Sequence, residues 1–132
     1  MDFLEQLKDF INENDTFGKS NRMKLELVKE GYAEAVMEIT GNSCNAVGTV
    51  QGGAIFTLAD MAFAGAANSY GEKCVAMSAA ASFIRPGTGK QLRAAAKAVS
   101  KGRRSCVIEV EVRNDEGKLA AKFQFTGFFY EK

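Results

Sequence analysis

The chain has 132 residues, 46% of them hydrophobic and 25% charged, with 17 basic side chains against 16 acidic. That is the composition of an ordinary soluble globular protein and a length suited to one domain spanning 1–132. A net charge of +1 gives no mark of a nucleic-acid binder, and the absence of histidine excludes a Ser-His-Asp or Cys-His pair, a histidine base and histidine-ligated zinc. No metal site is expected, and any chemistry must use carboxylates, hydroxyls, amides, backbone dipoles or a cofactor.

Residues 1–14 place Phe3, Leu4, Leu7, Phe10 and Ile11 at spacings of three and four, which predicts an amphipathic helix with one apolar stripe. Two period-2 segments follow, 24–29 and 32–39. In the second, Ala33, Ala35, Met37 and Ile39 oppose Tyr32, Glu34, Val36 and Glu38, and Gly31 predicts a turn or bulge between the two. The stretch 42–53 is rich in Gly, Asn and Ser and reads as a loop. It leads into a helix over 54–69, roughly 24 Å long at 1.5 Å per residue.

Strand patterns return over 74–85, 91–100, 104–113 and 118–130. Cys106, Ile108, Val110 and Val112 share one face of the third, and Leu119, Ala121, Phe123, Phe125 and Phe129 turn inward on the fourth. Between them, 114–117 reads as a hairpin loop closed by Gly117. Strands joined by turns rather than helices favour an antiparallel sheet. A helix that is apolar nearly all round needs cover on most sides. The economical arrangement is an α+β fold: a curved antiparallel sheet wrapped around a central helix, with an extra helix at the N-terminus.

The three cysteines, Cys44, Cys74 and Cys106, are odd in number and show no C-x-x-C, which reads as free thiols in a reducing compartment. The N-terminal residues lack the basic start and apolar run of a secretion signal, and the longest apolar stretch, 52–67, is too short to span a bilayer and is broken by Asp60. The expectation is a cytoplasmic protein with no membrane and no nucleic-acid partner.

Only Thr57 and Asp60 are polar between Ala54 and Ala67. The Thr57 hydroxyl can bond back to a carbonyl of the preceding turn. Asp60 lies too far in to cap the helix, among Leu58, Ala59, Met61, Ala62 and Phe63. Two environments suit it: a solvated patch or loop hydrogen bond, or a water-poor pocket where burial raises the basicity of a base or nucleophile. The second is the sharper reading. Ahead of it, Gly52 and Gly53 let a ligand approach the backbone, and the first N–H groups of a helix have no internal partner and suit a polarised carbonyl. A carboxylate and a carbonyl-binding helix start are two parts of an acyl-transfer site. They lie roughly 11–12 Å apart along the axis, so one helix cannot bring both to one carbonyl, whereas an antiparallel neighbour in a symmetric dimer can.

At these residues the chain resembles the PaaI-type thioesterases of the hotdog fold. The resemblance is carried by Asn45 and Gly48, then Gln51-Gly52-Gly53, then Phe56-Thr57-Leu58-Ala59-Asp60, then Asn68-Ser69-Tyr70-Gly71 and finally Phe83-Ile84-Arg85-Pro86-Gly87. It covers about residues 24–130. It implies five or six antiparallel strands around the helix, edge-to-edge homodimers that are usually paired again into a homotetramer, and hydrolysis of acyl-CoA thioesters between subunits. CoA is then part of the substrate, and no separate cofactor is expected.

On that resemblance Asp60 is base or nucleophile, the Gly52 N–H polarises the thioester carbonyl, with Gly53 beside it, and Asn45 positions water or the acidic group of the partner copy. The family's histidine before the glycine pair is replaced by Gln51, which donates a hydrogen bond but delivers no proton. The alternative consistent with Gln51 is a non-catalytic hotdog module that binds acyl-CoA. Ser78 and Ser82 share a strand face and are candidates for a supporting hydroxyl. Arg85, Lys90, Lys101, Arg103 and Arg104 bracket strand ends, and 101–104 is a candidate phosphate clamp, with a solvated turn as its plain alternative.

Overall fold

The computed structural model describes residues 2–131. Helix α1 (Phe3–Asn14) begins on Asp2, whose carboxylate accepts from the Glu5 N–H at 2.9 Å; Met1 of the expected helix lies outside the described residues. Leu4, Leu7 and Ile11 pack on the core, whereas Phe3 and Phe10, expected in the same stripe, are exposed. A short helix, α2 (Thr16–Ser20), follows, which hydrophobic periodicity could not show in five residues containing a glycine. Its N-cap is Asp15.

The strands β1 (Met23–Lys29), β2 (Tyr32–Glu38), β3 (Lys73–Phe83), β4 (Gln91–Lys101), β5 (Ser105–Asn114) and β6 (Leu119–Glu131) form one antiparallel sheet in the order β1-β2-β4-β5-β6-β3. This is the hotdog arrangement, with α3 (Gly52–Asn68) against its inner face. The expected strand boundaries hold within two residues, and Gly31, at φ 73°, makes the β1–β2 turn in a conformation other residues rarely adopt. The helix starts at Gly52 rather than Ala54. The loop before it contains a 3₁₀ turn over Gly41–Ser43 and a bridge between Cys44 and Val50. No helix among the described residues is long and apolar enough to cross a membrane.

The packing of α3 differs along the sheet. Ala33, Ala35, Ala94 and Ala96 are fully buried and paired across β2 and β4, Ala33 with Ala96 and Ala35 with Ala94. They meet small residues of the helix: a Cβ placed on Gly65 would sit 2.9 Å from Ala33 Cβ. Small side chains on both surfaces let the axis come close there. On the other side phenylalanines fill the gap. Phe63 stacks on Phe125 with centroids 4.9 Å apart, and Phe56 meets Phe123 edge-on at 5.3 Å. Truncating a buried Phe of this kind typically costs about 3–5 kcal/mol.

Cys74 and Cys106 face each other with Sγ atoms 3.9 Å apart, but they sit on strands flanking β6. Two strand spacings of roughly 4.8 Å separate their backbones, too far for a disulfide. Gly127 lies between them, and a Cβ there would fall 2.6 Å from Cys74 Sγ. Burial pushes the Cys74 thiol up to about 12 and raises Cys106 as well, so both are inert, unpaired thiols.

Candidate active site

The loop before α3 is folded on itself by Asn45. Its Oδ1 accepts from the N–H groups of Val47 (3.1 Å) and Thr49 (3.2 Å), and its Nδ2 donates to Thr49 Oγ1 at 3.1 Å. The carboxamide thus shapes its own turn. Gln51 N–H donates to Ser43 O at 2.8 Å and Val50 N–H to Gly87 O at 2.9 Å. These two bonds fix where the helix begins. Gln51 is its N-cap residue but makes no side-chain cap bond, so its carboxamide is exposed beside the helix start.

Gln51 C=O accepts from Ala54 and Ile55 N–H groups, whereas the N–H groups of Gly52 and Gly53 have no acceptor among the described residues. They are the orphan donors of the helix start and carry the positive end of its dipole. Gly52 opens onto a groove of about 350 Å³ lined by Val50, Ile55, Phe83, Ile84, Arg85 and Gly87. Arg85 Nε donates to Leu119 O at 2.9 Å, which anchors the guanidinium at this groove. The apolar members were not singled out as site residues from sequence. Their signal lay in the motif itself: Ile55 is one turn past Gly52, and Phe83 and Ile84 precede Arg85.

Asp60 corrects the expectation of an acid sunk among hydrocarbon neighbours: in the single chain it is exposed. Gly53, Phe56 and Asp60 recur at three and four residues and form a ridge of α3 that the sheet does not cover. Phe56 leans from this ridge onto Phe123 and Phe125, while neighbouring Met61 turns inward. The carboxylate is reachable by water yet crowded by protein atoms. Desolvation raises its pKa above the ordinary aspartate value, and the charge of Asp15 adds to the rise. Thr57 bonds back to Gly53 O at 2.9 Å, as expected.

Beside the ridge runs β3, with every residue but Cys74 exposed, including Val75, Met77 and Phe83 at 50%, 59% and 53%. Its register assigns faces: Ala79, Ala81 and Phe83 pair with inward-facing Phe125, Phe123 and Ala121, whereas Ser78 and Ser82 pair with Thr126 and Lys122. The two serines therefore lie on the outer face, away from α3, and the structure does not bring them to Gly52 or Asp60 within one chain.

The basic candidates also separate. Lys101 Nζ is 3.3 Å from Glu72 and lies over the rings of Tyr70 (5.2 Å) and Phe129 (4.9 Å), so it is engaged within the fold. Arg103 and Arg104 are exposed beside Phe128 and Tyr130, in a groove of about 320 Å³. From Ala121, opposite Phe83, to Phe128 is seven strand residues, roughly 23 Å. One chain therefore does not place this pair beside its own Gly52.

The same chain stretch carries the family relationship. Residues 47–121 match the model of the thioesterase superfamily, and the chain belongs to that superfamily. It is 35% identical over 113 residues to the acyl-coenzyme A thioesterase PaaI of Escherichia coli K12, covering 85% of this chain and 81% of that protein. The solved structure of E. coli PaaI, from the phenylacetic acid degradation operon, superposes with a TM-score of 0.91 at 31% identity, over 96% of this chain and 92% of the other. A Streptococcus mutans protein solved with acetyl-CoA bound superposes with a TM-score of 0.79 at 27% identity, over 83% and 90%.

Proposed function

We propose that the protein hydrolyses an acyl-CoA thioester to free acid and CoA, at a site completed by a second copy. The observation that carries this reading is the pair of unpartnered N–H groups at Gly52 and Gly53, the first of which opens onto a mostly apolar groove. A thioester carbonyl seated there meets donors already aimed at the oxygen that gains negative charge in the transition state. The acetyl-CoA-bound relative and the similarity to an acyl-CoA thioesterase support the substrate class.

Asp60 is the base or nucleophile of the proposed reaction. Acting as base, it takes a proton from water as the oxygen attacks the carbonyl carbon. Collapse of the tetrahedral intermediate then expels CoA thiolate, a leaving group stable enough to depart with Gln51 donating only a hydrogen bond. Attack by the carboxylate itself instead expels CoA thiolate and gives a mixed anhydride, which water then opens to the free acid and the regenerated Asp60. Eight residues separate Asp60 from Gly52, about 12 Å along the axis. A second copy paired antiparallel through β3 carries its α3 in the reverse direction, toward this copy's glycine pair, and covers the exposed ridge. Such a pairing also carries the second copy's Arg103–Arg104 end toward this copy's groove, where with Arg85 it suits the CoA phosphates. Two dimers then make the tetramer. The unpaired thiols suit a reducing cytoplasmic setting.

Thiol release from a panel of aliphatic and aryl acyl-CoAs tests the reading. Wild type turns over at least one, and Asp60→Asn lowers kcat on it by about 10²-fold or more. Equal rates for the two proteins overturn the assignment of Asp60. Calorimetric binding without turnover across the panel identifies a binding module instead. Single-turnover hydrolysis in heavy-oxygen water separates the two routes, since label enters the protein only through the anhydride.

A further inference from the structure

We infer that the groove between the end of α2 and the outer face of β1 and β2 is a second binding site, separate from the thioester groove at Gly52, for a small phosphoanion of nucleotide size.

The groove has a volume of about 720 Å³, and none of its lining residues also lines the groove at Gly52. Val36 forms part of its floor. By strand alternation Val36 faces outward, opposite Lys24 and Arg93. It is only 5% exposed, yet it stands outside the core cluster that holds Ala33, Ala35 and Met37. Around it are four cations, Lys19, Arg22, Lys24 and Lys90, and two acids, Glu26 and Glu38. Both acids are already engaged, Glu26 with Arg93 at 2.8 Å and Glu38 with Arg22 at 3.5 Å. The ammonium groups of Lys24 and Lys90 have no acidic partner among the described residues, and Lys19 bonds a neutral carbonyl, Glu13 O, at 3.3 Å. The groove therefore carries a surplus of positive charge.

Arg22 is the sharper sign. It closes α2 and leads into β1 at φ 60°, the only non-glycine residue at positive φ among the described residues. Its N–H donates to Lys19 O at 3.2 Å, and its C=O accepts from Glu38 N–H at 3.1 Å. Glycine is the ordinary residue at such a helix exit, because a Cβ is strained there. Strain that the surrounding structure holds in place recurs at ligand clamps, and here it sets a guanidinium beside unpaired ammonium groups. A guanidinium fork flanked by point charges matches phosphoryl oxygens, and the charge surplus matches more than one phosphoryl group. The volume suits a drug-sized molecule rather than a single phosphate ion. The site also stays open in the proposed dimer: β1 and β3 are opposite edges, five strand spacings or roughly 24 Å apart.

Calorimetric titration of the full chain with ADP and with inorganic pyrophosphate at low salt tests the site. One ADP binds per chain, pyrophosphate competes with it, and added salt weakens both. Succinate, which carries charge without phosphoryl oxygens, does not compete. Lys24→Gln and Arg22→Gly each weaken ADP about fivefold or more, whereas Glu38→Gln, which frees Arg22, tightens it. Arg22→Gly relieves the left-handed strain and unfolds at no lower denaturant concentration than wild type, so its lost affinity is not lost folding. The KM for an acyl-CoA stays at the wild-type value in Lys24→Gln. Absence of ADP binding, or wild-type affinity in all three variants, overturns the inference. Competition by succinate overturns the phosphate class, and a raised acyl-CoA KM in Lys24→Gln overturns the separateness of the site by assigning the groove to the substrate.

Discussion

The sheet has two edges, and they are finished in opposite ways. Along β1 the side chain of Asn12 behaves like a piece of neighbouring strand: Leu25 N–H donates to its Oδ1 at 2.8 Å, and its Nδ2 donates to Leu25 O at 2.9 Å. With α1 packed over it, that edge is closed to another chain. Along β3 no element covers the backbone, ten of eleven residues are exposed, and the side chains are mostly small or apolar. Long exposed apolar edges are a hazard that proteins block unless they use them. The closed edge makes the open one informative, because it leaves β3 as the place for a second copy and puts the Asp60 ridge beside it.

The comparison can be broken at the open edge first. Met77→Lys combined with Ala79→Lys places two charges along β3. The doubly substituted protein is expected to sediment as a monomer with native circular dichroism and to lose more than about tenfold in thioester hydrolysis. A fully active monomer ends the shared-site reading.

The closed edge gives a smaller effect. Asn12→Leu leaves the Leu25 N–H and C=O without their partner, and denaturant unfolding should report a loss of about 1–3 kcal/mol, with thioesterase activity retained in the folded fraction.

The smallest effect concerns the ridge. Folding raises the Asp60 pKa, so the folded state prefers the protonated carboxyl; that preference stabilises the fold fully below the unfolded value and is lost as pH rises through the folded one. Asp60→Asn, which never ionises, is therefore expected to melt slightly above wild type at pH 7, with the gap narrowing at the acid end of the titration. Equal melting offsets across the range would remove the desolvation argument.

How much of this was legible depends on the length of the pattern. The strands alternate over seven to thirteen residues, and a shift of one residue would turn Ile108, Val110 and Val112 to water, so their faces could be read directly. Helix α2 could not, since a five-residue turn capped by Asp15 has no period. Gly52 was legible because a helix start needs free N–H groups whatever its surroundings. The environment of Asp60 was not: its neighbours in sequence are apolar, but Leu58, Ala59, Met61, Ala62 and Phe63 project inward while Asp60 projects outward. The serines of β3 illustrate the same limit, because their shared face was clear, but a bulge between Ala76 and Ser78 is part of what determines which face it is.

The residue pattern alone determined an antiparallel sheet around an apolar helix, a glycine-marked helix start, a lone acid within that helix and unpaired thiols, since each follows from local periodicity or residue chemistry. Tertiary structure decided which ridge of the helix stays bare and which sheet edge is sealed. Those outcomes depend on how alanines and phenylalanines set the helix against the sheet, and on chain reversals that bring distant segments together. No local pattern encodes either.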